Sequence, residues 1–203
     1  MKKFLSVFLA ALMLLSLCAC GTQKAEKTMR TFCDGMKEYD FEKMQACLVP
    51  SAGSIQAKIG EMEGGEEAAA LLYAKMKEWT AKMTYEIVSV NEEGDHATAT
   101  VKYYYVDASP ILQDVLGEYL GQAFASAFSG ISEDDLRAMA EQILNDKMET
   151  AQTGSAQMSV TYDLVKSGKE WKITEVPKDS LQVLTANFVK SITDLASVFG
   201  KTG

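Results

Sequence analysis

The chain has a single histidine, His96, and no Cys-x-x-Cys pair in its 203 residues. A zinc site on ordinary ligand spacing and a thioredoxin-like redox motif are therefore both excluded. Positive charge is also scarce: 20 basic against 28 acidic residues give a net charge of −8. Such a surface repels phosphate backbones and anionic headgroups, so nucleic acid is set aside as a partner. There is no glycine-rich phosphate loop and no Gly-x-Ser-x-Gly elbow. The acidic groups Glu92-Glu93 and Glu133-Asp134-Asp135 lack the ligand spacing of a calcium loop and read as solvated turns and helix starts. No long Gly, Ser or Pro tract follows Gly21 to mark a linker, which points to one domain with its own core.

What is present begins at the N-terminus. Lys2 and Lys3 precede an apolar run from Phe4 to Leu17, broken only by Ser6 and Ser16, which is the pattern of a secretory signal peptide. The run is shorter than the roughly 18 to 20 residues that span a bilayer as a helix. It ends in Leu17-Cys18-Ala19-Cys20-Gly21, which resembles the bacterial lipobox, with a branched residue three before the cysteine and a small one just before it. The resemblance implies removal of residues 1–19 and a diacylglyceryl group on the Cys20 thiol. Cys18 as acceptor would put Leu17 where a small residue belongs, and an ordinary cleaved signal peptide is the bland alternative. Two acyl chains are about the minimum for stable membrane attachment. The expected location is the extracytoplasmic face of a cell membrane, and Gly21, not being Asp, supplies no familiar inner-membrane retention signal. Cleavage removes two lysines and no acid, leaving 18 basic and 28 acidic residues in about 184.

The rest of the chain, residues 20–203, alternates between helical and strand periodicity. From Lys24 to Leu48, Met29, Phe32, Cys33 and Met36, then Met44, Cys47 and Leu48, recur at helical spacing around a break at Tyr39-Asp40-Phe41. Cys33 and Cys47 each lie seven residues from Asp40, at matching heights about 10 Å from that turn if the two helices run antiparallel. They can form a disulfide after export or stay as two buried thiols, and the spacing leaves both open. A further helix starts near Glu66 with Leu72, Met76, Trp79 and Met83 on one stripe, after a loop marked by Gly60, Gly64 and Gly65. Thr84–Val90 and the alternating stretch after His96 form a β-hairpin around a turn at Asn91–Asp95. A second hairpin runs from Met158 through Leu164, turns at Ser167-Gly168 and returns through Trp171 and Ile173.

Between the hairpins, about residues 109–150 form a helical insertion. Ser109-Pro110 is a start signal, and Ile111/Leu112, Val115/Leu116, Tyr119/Leu120, Ala123/Phe124 and Ala127/Phe128 repeat every four residues. Gly117, Gly121 and Ala125 add a stripe of small residues, expected to pack within the chain or else to serve as a dimer seam. Ser132 and Asp135 suit a capping box for the second insertion helix. A C-terminal helix is expected from about Asp179 to Phe199, with Leu181, Leu184, Phe188, Ile192, Leu195 and Phe199 on its stripe and Gly200 as its cap.

This order predicts an α+β domain: N-terminal helices on a curved, cone-like antiparallel sheet, a helical-hairpin insertion between two β-hairpins, and a C-terminal helix. Phe32-Cys33-Asp34-Gly35-Met36-Lys37-Glu38-Tyr39-Asp40-Phe41-Glu42-Lys43-Met44, a helix ending in a short acidic and aromatic turn into a second helix, resembles the nuclear-transport-factor-2-like fold, also called SnoaL-like or cystatin-like. The strand Gly168-Lys169-Glu170-Trp171-Lys172-Ile173 is similar to that fold's Gly-x-Trp-x-Ile strand. The likeness spans residues 24–177 and implies a pocket between the concave sheet and the first helices, used by some members for catalysis and by others only for binding.

In such a cone Tyr85, Tyr103, Tyr105, Tyr162 and Trp171 are the candidate pocket wall, or simply the core of the sheet. Catalysis needs a base or nucleophile against a polarising partner, and the sequence offers poor candidates. His96 follows the hairpin turn, Asp163 alternates with its strand's apolar face, and Asp107 suits a local turn or cap. No catalytic residue, metal ligand or cofactor is assigned. The expected function is a membrane-anchored, non-enzymatic module binding a small apolar molecule or a peptide. The alternative is an envelope interaction protein that uses the insertion helices, and a hydrolase or isomerase comes last.

Overall fold

The computed structural model describes residues 19–60, 66–126, 132–150, 152–188 and 190–191. Helix α1 (Ala19–Glu38) begins five residues before the expected start, so Cys20 lies within the helix and no separate tether intervenes. Its buried positions Ala25, Met29, Phe32, Cys33 and Met36 fall at steps of three and four and line one face. Tyr39 takes a left-handed conformation (φ 56°) and the Asp40 amide closes on the Gly35 carbonyl at 2.9 Å, which ends the helix. Asp40 then caps α2 (Phe41–Gln45), its side chain accepting from the Lys43 amide at 2.9 Å. The two helices meet at Gly35, where an added Cβ would lie 2.9 Å from Met44 Cγ. After a 3₁₀ turn (Pro50–Ala52) come α3 (Ile55–Gly60) and α4 (Glu66–Ala81). The stretch after Gly60 that carries Gly64 and Gly65 lies outside the described residues.

The sheet is a four-stranded antiparallel meander, β1 (Thr84–Glu93), β2 (His96–Asp107), β3 (Gly154–Ser167) and β4 (Glu170–Ile173), in that spatial order. Cys47–Val49 extend it beyond β4 by a parallel bridge at Leu48 and Ile173. Ala97, Ala99, Val101, Tyr103 and Tyr105 of β2 are buried, while Thr98 and Tyr104 between them are exposed. On the buried face the register sets Val101 opposite Val160 and Ala99 opposite Tyr162, so a small residue faces a large ring. This is how facing layers fill space without voids. The turn placed at Asn91–Asp95 is shorter than expected. Asn91, Glu92 and Glu93 stay in register with Thr98, Ala97 and His96, and only Gly94 and Asp95 form the loop. Ladder hydrogen bonds override the weak strand propensity of those polar residues, and Gly94 supplies the positive φ (64°) that opens a two-residue loop.

Helices cover the concave face of the curved sheet and leave the other to solvent, which is the α+β, cone-like arrangement. Asp107 and Gly154 pair directly, so the sheet continues unbroken while the chain between them departs as a helical hairpin, α5 (Ser109–Ser126) and α6 (Glu133–Thr150). We call this hairpin the arm. The Asp107 carboxylate, rather than Ser109, caps α5, accepting from the Ser109 amide (3.0 Å) and hydroxyl (2.6 Å). Ser132 and Asp135 form the expected capping box before α6.

The C-terminal helix differs most from expectation. Helix α7 (Lys178–Leu184) stops after seven residues, because Ala186 (φ 51°) and Asn187 (φ 62°) are both left-handed. The Asn187 amide closes on the Gln182 carbonyl at 2.8 Å, and the reversal is held from outside: the Ala108 amide donates to the Ala186 carbonyl, and the Asn187 side chain bonds Tyr105 and Asp107. These contacts override an apolar stripe that runs through the break. Ile192, Leu195, Phe199 and Gly200 lie outside the described residues, as do Ala127 and Phe128. No helix among the described residues is long and apolar enough to cross a membrane.

The packing predicts a sharp asymmetry between the faces of β2. Ala99→Leu should cost about 1–3 kcal/mol in urea unfolding by overfilling the space opposite Tyr162. Thr98→Leu, one residue away on the solvent face, should stay within about 0.5 kcal/mol.

Candidate functional site

The interior between α1 and the sheet is where a pocket was expected. Tyr103 and Tyr162 are both fully buried there, and their hydroxyls meet at 2.7 Å. The Tyr162 hydroxyl donates to Ser180 Oγ of α7 at 2.8 Å, and the Ser180 hydroxyl points to Met36 Sδ at 3.7 Å. At the other end the Cys33 thiol lies 3.1 Å from the Tyr103 hydroxyl. One continuous hydrogen-bonded chain thus ties α1, two strands and α7 together at the centre of the cone. Among the described residues no buried side-chain nitrogen or oxygen lacks a partner. The polar groups are satisfied by one another and present nothing unmet to a ligand.

The same burial decides their chemistry. Loss of hydration pushes the Cys33 thiol up to about 12, against a smaller lowering by the Tyr103 hydrogen bond. Burial likewise drives the Tyr103 and Tyr162 hydroxyls far above the ordinary tyrosine range. Near neutral pH the chain is uncharged throughout. It clamps the fold and holds no base or nucleophile. The disulfide allowed by the spacing of Cys33 and Cys47 is not formed. Both thiols are free and buried, with Cys33 on Tyr103 and Cys47 donating to the Lys43 carbonyl at 3.4 Å.

The five aromatic residues of the expected wall separate accordingly. Tyr103 and Tyr162 fill the centre, and Trp171 is buried on β4, where its carbonyl accepts from Thr28 Oγ1 at 3.0 Å. Tyr85 is half-buried at the cone's edge and donates to Asp34 at 2.7 Å. Tyr105 lies at the far end of β2, its hydroxyl on Asn187 at 3.2 Å. It alone of the five borders an open recess of about 570 Å³, lined also by Lys82, Thr84, Tyr104, Val106, Ser155, Ala156 and Gln157. Lys102 stands 4.9 Å over the Tyr104 ring. The recess sits where the arm leaves the sheet, since Val106 is three residues before Ser109.

His96 and Asp163 are both exposed, at the hairpin end and on the solvent face, away from the buried tyrosines. Among the described residues no group of three or more His, Cys, Asp or Glu side chains is arranged to hold a metal ion.

The arm carries the other unusual surface. Ile111 and Met148 at its base are buried in the core. Farther out Leu120 is 39% and Phe124 75% exposed, on the α5 stripe that also holds Gly117 and Gly121. Among the described residues nothing lies within 4 Å of where a Cβ would stand on either glycine, and none packs over the stripe at these two positions.

No family model matches the chain, and none of the curated proteins does. Among solved structures it is similar to a ketosteroid isomerase-like protein from Erwinia carotovora atroseptica, at 12% identity over 77% of this chain and 93% of that one, with a TM-score of 0.42. It is also similar to a lipoprotein candidate (ycdA) from Bacillus subtilis, at 15% identity over 75% of this chain but 44% of that one, TM-score 0.41. A third is a hydroxylase candidate, AclR, from Streptomyces galilaeus, at 10% identity over 89% and 97%, TM-score 0.36. At this distance none of them passes a substrate or a residue role to this chain.

Sequence reasoning missed Ser180 and Asn187. Ser180 reads as an ordinary residue in the first turn of a helix, and Asn187 falls inside an apolar stripe. Only its αL tolerance hinted at a break.

The buried chain has a pH signature. Groups whose folded pKa is raised stabilise the fold fully below their unfolded value and lose that contribution as pH rises through the folded value. Cys33, ordinarily near 9.0 and raised to about 12, should make stability fall across that window. Chemical unfolding of Cys33→Ala at a series of alkaline pH values should show a shallower fall than the parent chain. An identical slope would mean that the thiol is not buried as described.

Proposed function

We propose that the chain is exported, anchored through a lipid on Cys20 to the outer face of a membrane, and acts there as a non-enzymatic interaction module that presents the arm to another envelope component. One observation carries the interaction reading: Phe124 and Leu120 are exposed beside Gly117 and Gly121 on α5, while the cone's interior is occupied by its own hydrogen-bonded side chains. A contiguous exposed apolar strip of this kind marks an interaction surface in a soluble domain.

The anchor and the arm fit one orientation. Five residues after Cys20, the Ala25 amide donates to the Glu92 carboxylate at 3.4 Å, beside the Gly94–Asp95 loop. A lipid on Cys20 holds that end of the cone against the membrane. The arm departs after Asp107, eleven residues along β2 from His96, or about 36 Å for an extended strand. The recess lies at that same end. Its volume and its rim of Tyr104, Tyr105 and Lys82 support a second reading, a small-molecule site.

Three measurements test these readings. Labelling cells with an alkynyl palmitate should mark the full chain, and Cys20→Ser should lose both label and membrane association. Retention of the label would refute the anchor. A photo-cross-linker at Phe124 should trap an envelope protein that one at Thr98 does not, and Leu120→Lys should abolish the adduct while stability changes by less than about 0.5 kcal/mol. If Leu120→Lys unfolds the domain, that face is core. Native mass spectrometry of the purified full chain should give its bare mass, and a surplus lost on denaturation would favour the recess.

A further inference from the structure

The charge of the arm that carries the exposed α5 strip bears on what covers it. Residues 109–150 carry eight acidic side chains against two basic ones, Arg137 and Lys147. Lys147 is already engaged by Glu118 of α5 at 2.7 Å. Asp114 on α5 and Asp134, Glu141 and Asp146 on α6 are exposed. The strip is thus an apolar seam in a strongly negative arm. A second copy of the arm would bring like charges together, which disfavours that interface.

The seam's shape selects a helix. Gly117 and Gly121 lie one turn apart, as do Leu120 and Phe124, so a narrow flat track runs beside two apolar knobs. Helix axes approach within about 8–10 Å when the residues between them are small. Glycine in a helix interior is less favourable than alanine. Among the described residues nothing packs over these two.

Resting on the interaction reading above, we infer that the α5 seam binds an amphipathic helix of a partner protein whose apolar stripe is flanked by lysine or arginine. The stripe lies on Leu120 and Phe124 and over the two glycines, and the flanking cations meet the acidic side chains of the arm.

The test uses the full lipidated chain in nanodiscs of neutral phosphatidylcholine. The probe is a designed helical peptide with leucines at i, i+4, i+7 and i+11 and lysines on both flanks. Its twin has glutamates in place of the lysines, and a third peptide has the lysines with a scrambled stripe. The lysine peptide should bind at least about tenfold tighter than either control, and weaken about tenfold between low and high salt. Gly121→Leu should remove binding at least about tenfold while the thermal midpoint holds or rises, because the position is open and the substitution favours helix.

Equal binding of the glutamate twin, or full binding to Gly121→Leu, would overturn the inference. So would a concentration-dependent dimer whose contact is lost in Gly121→Leu, or a chain ending at Ser191 that binds the peptide tenfold more tightly. The first would make the seam's occupant a second copy, and the second the protein's own C-terminal residues. The broader interaction reading fails separately, when the cross-linker at Phe124 traps nothing.

Discussion

The contact between the Tyr103 and Tyr162 hydroxyls constrains everything around it. Two phenols buried in an apolar interior are tolerable only if each finds partners, because an unsatisfied buried hydroxyl costs about 1–3 kcal/mol. Their solution is shared: one another, Cys33 on α1 and Ser180 on α7. That fixes the height of α1 on the sheet and draws the chain after β4 back under the cone. With the donors spent on each other and the rings occupying the space, the interior becomes structure.

The second constraint lies at the opposite end from the expected anchor. Asp107 collects three hydrogen bonds, from the Ser109 amide and hydroxyl and from Asn187, and these bonds hold its carboxyl below the usual range against the opposing effect of burial. One carboxylate therefore starts α5 and secures the left-handed turn that ends the α7 segment. Two consecutive non-glycine residues in that conformation store strain of order 1 kcal/mol each, which persists only where the surroundings over-determine it. The bonds of Asp107 tie down the arm's root, while α5 and α6 pack on each other and α6 also on α4. A firm base with an exposed outer seam is what a docking element requires.

Much of this layout was legible in the sequence because periodicity reports burial. The break at Tyr39-Asp40-Phe41, the alternation along β2, the Gly168 turn and the Ser132–Asp135 cap are local signals whose chemistry stands close together in the chain. The parts that were not legible depend on distant partners. Whether five aromatic residues line a pocket or fill it turns on Ser180 and Met36, residues with no sequence signature of that role. The end of α7 at Leu184 turns on Asp107 and Ala108, some eighty residues away, which no helical stripe can foresee. The spacing of Cys33 and Cys47 leaves a bridge and two buried thiols both open; in the fold the Cys33 thiol meets Tyr103 and the Cys47 thiol the Lys43 carbonyl.

The central claim, that the cone is sealed and filled by its own polar chain, is tested most directly by NMR of the tyrosine hydroxyl protons in the full chain. The account predicts separate, slowly exchanging resonances for Tyr103 and Tyr162, with cross-peaks to Ser180 and Cys33 and none to water. Rapid exchange, or strong water cross-peaks to either hydroxyl, would reveal a wet chamber and contradict it.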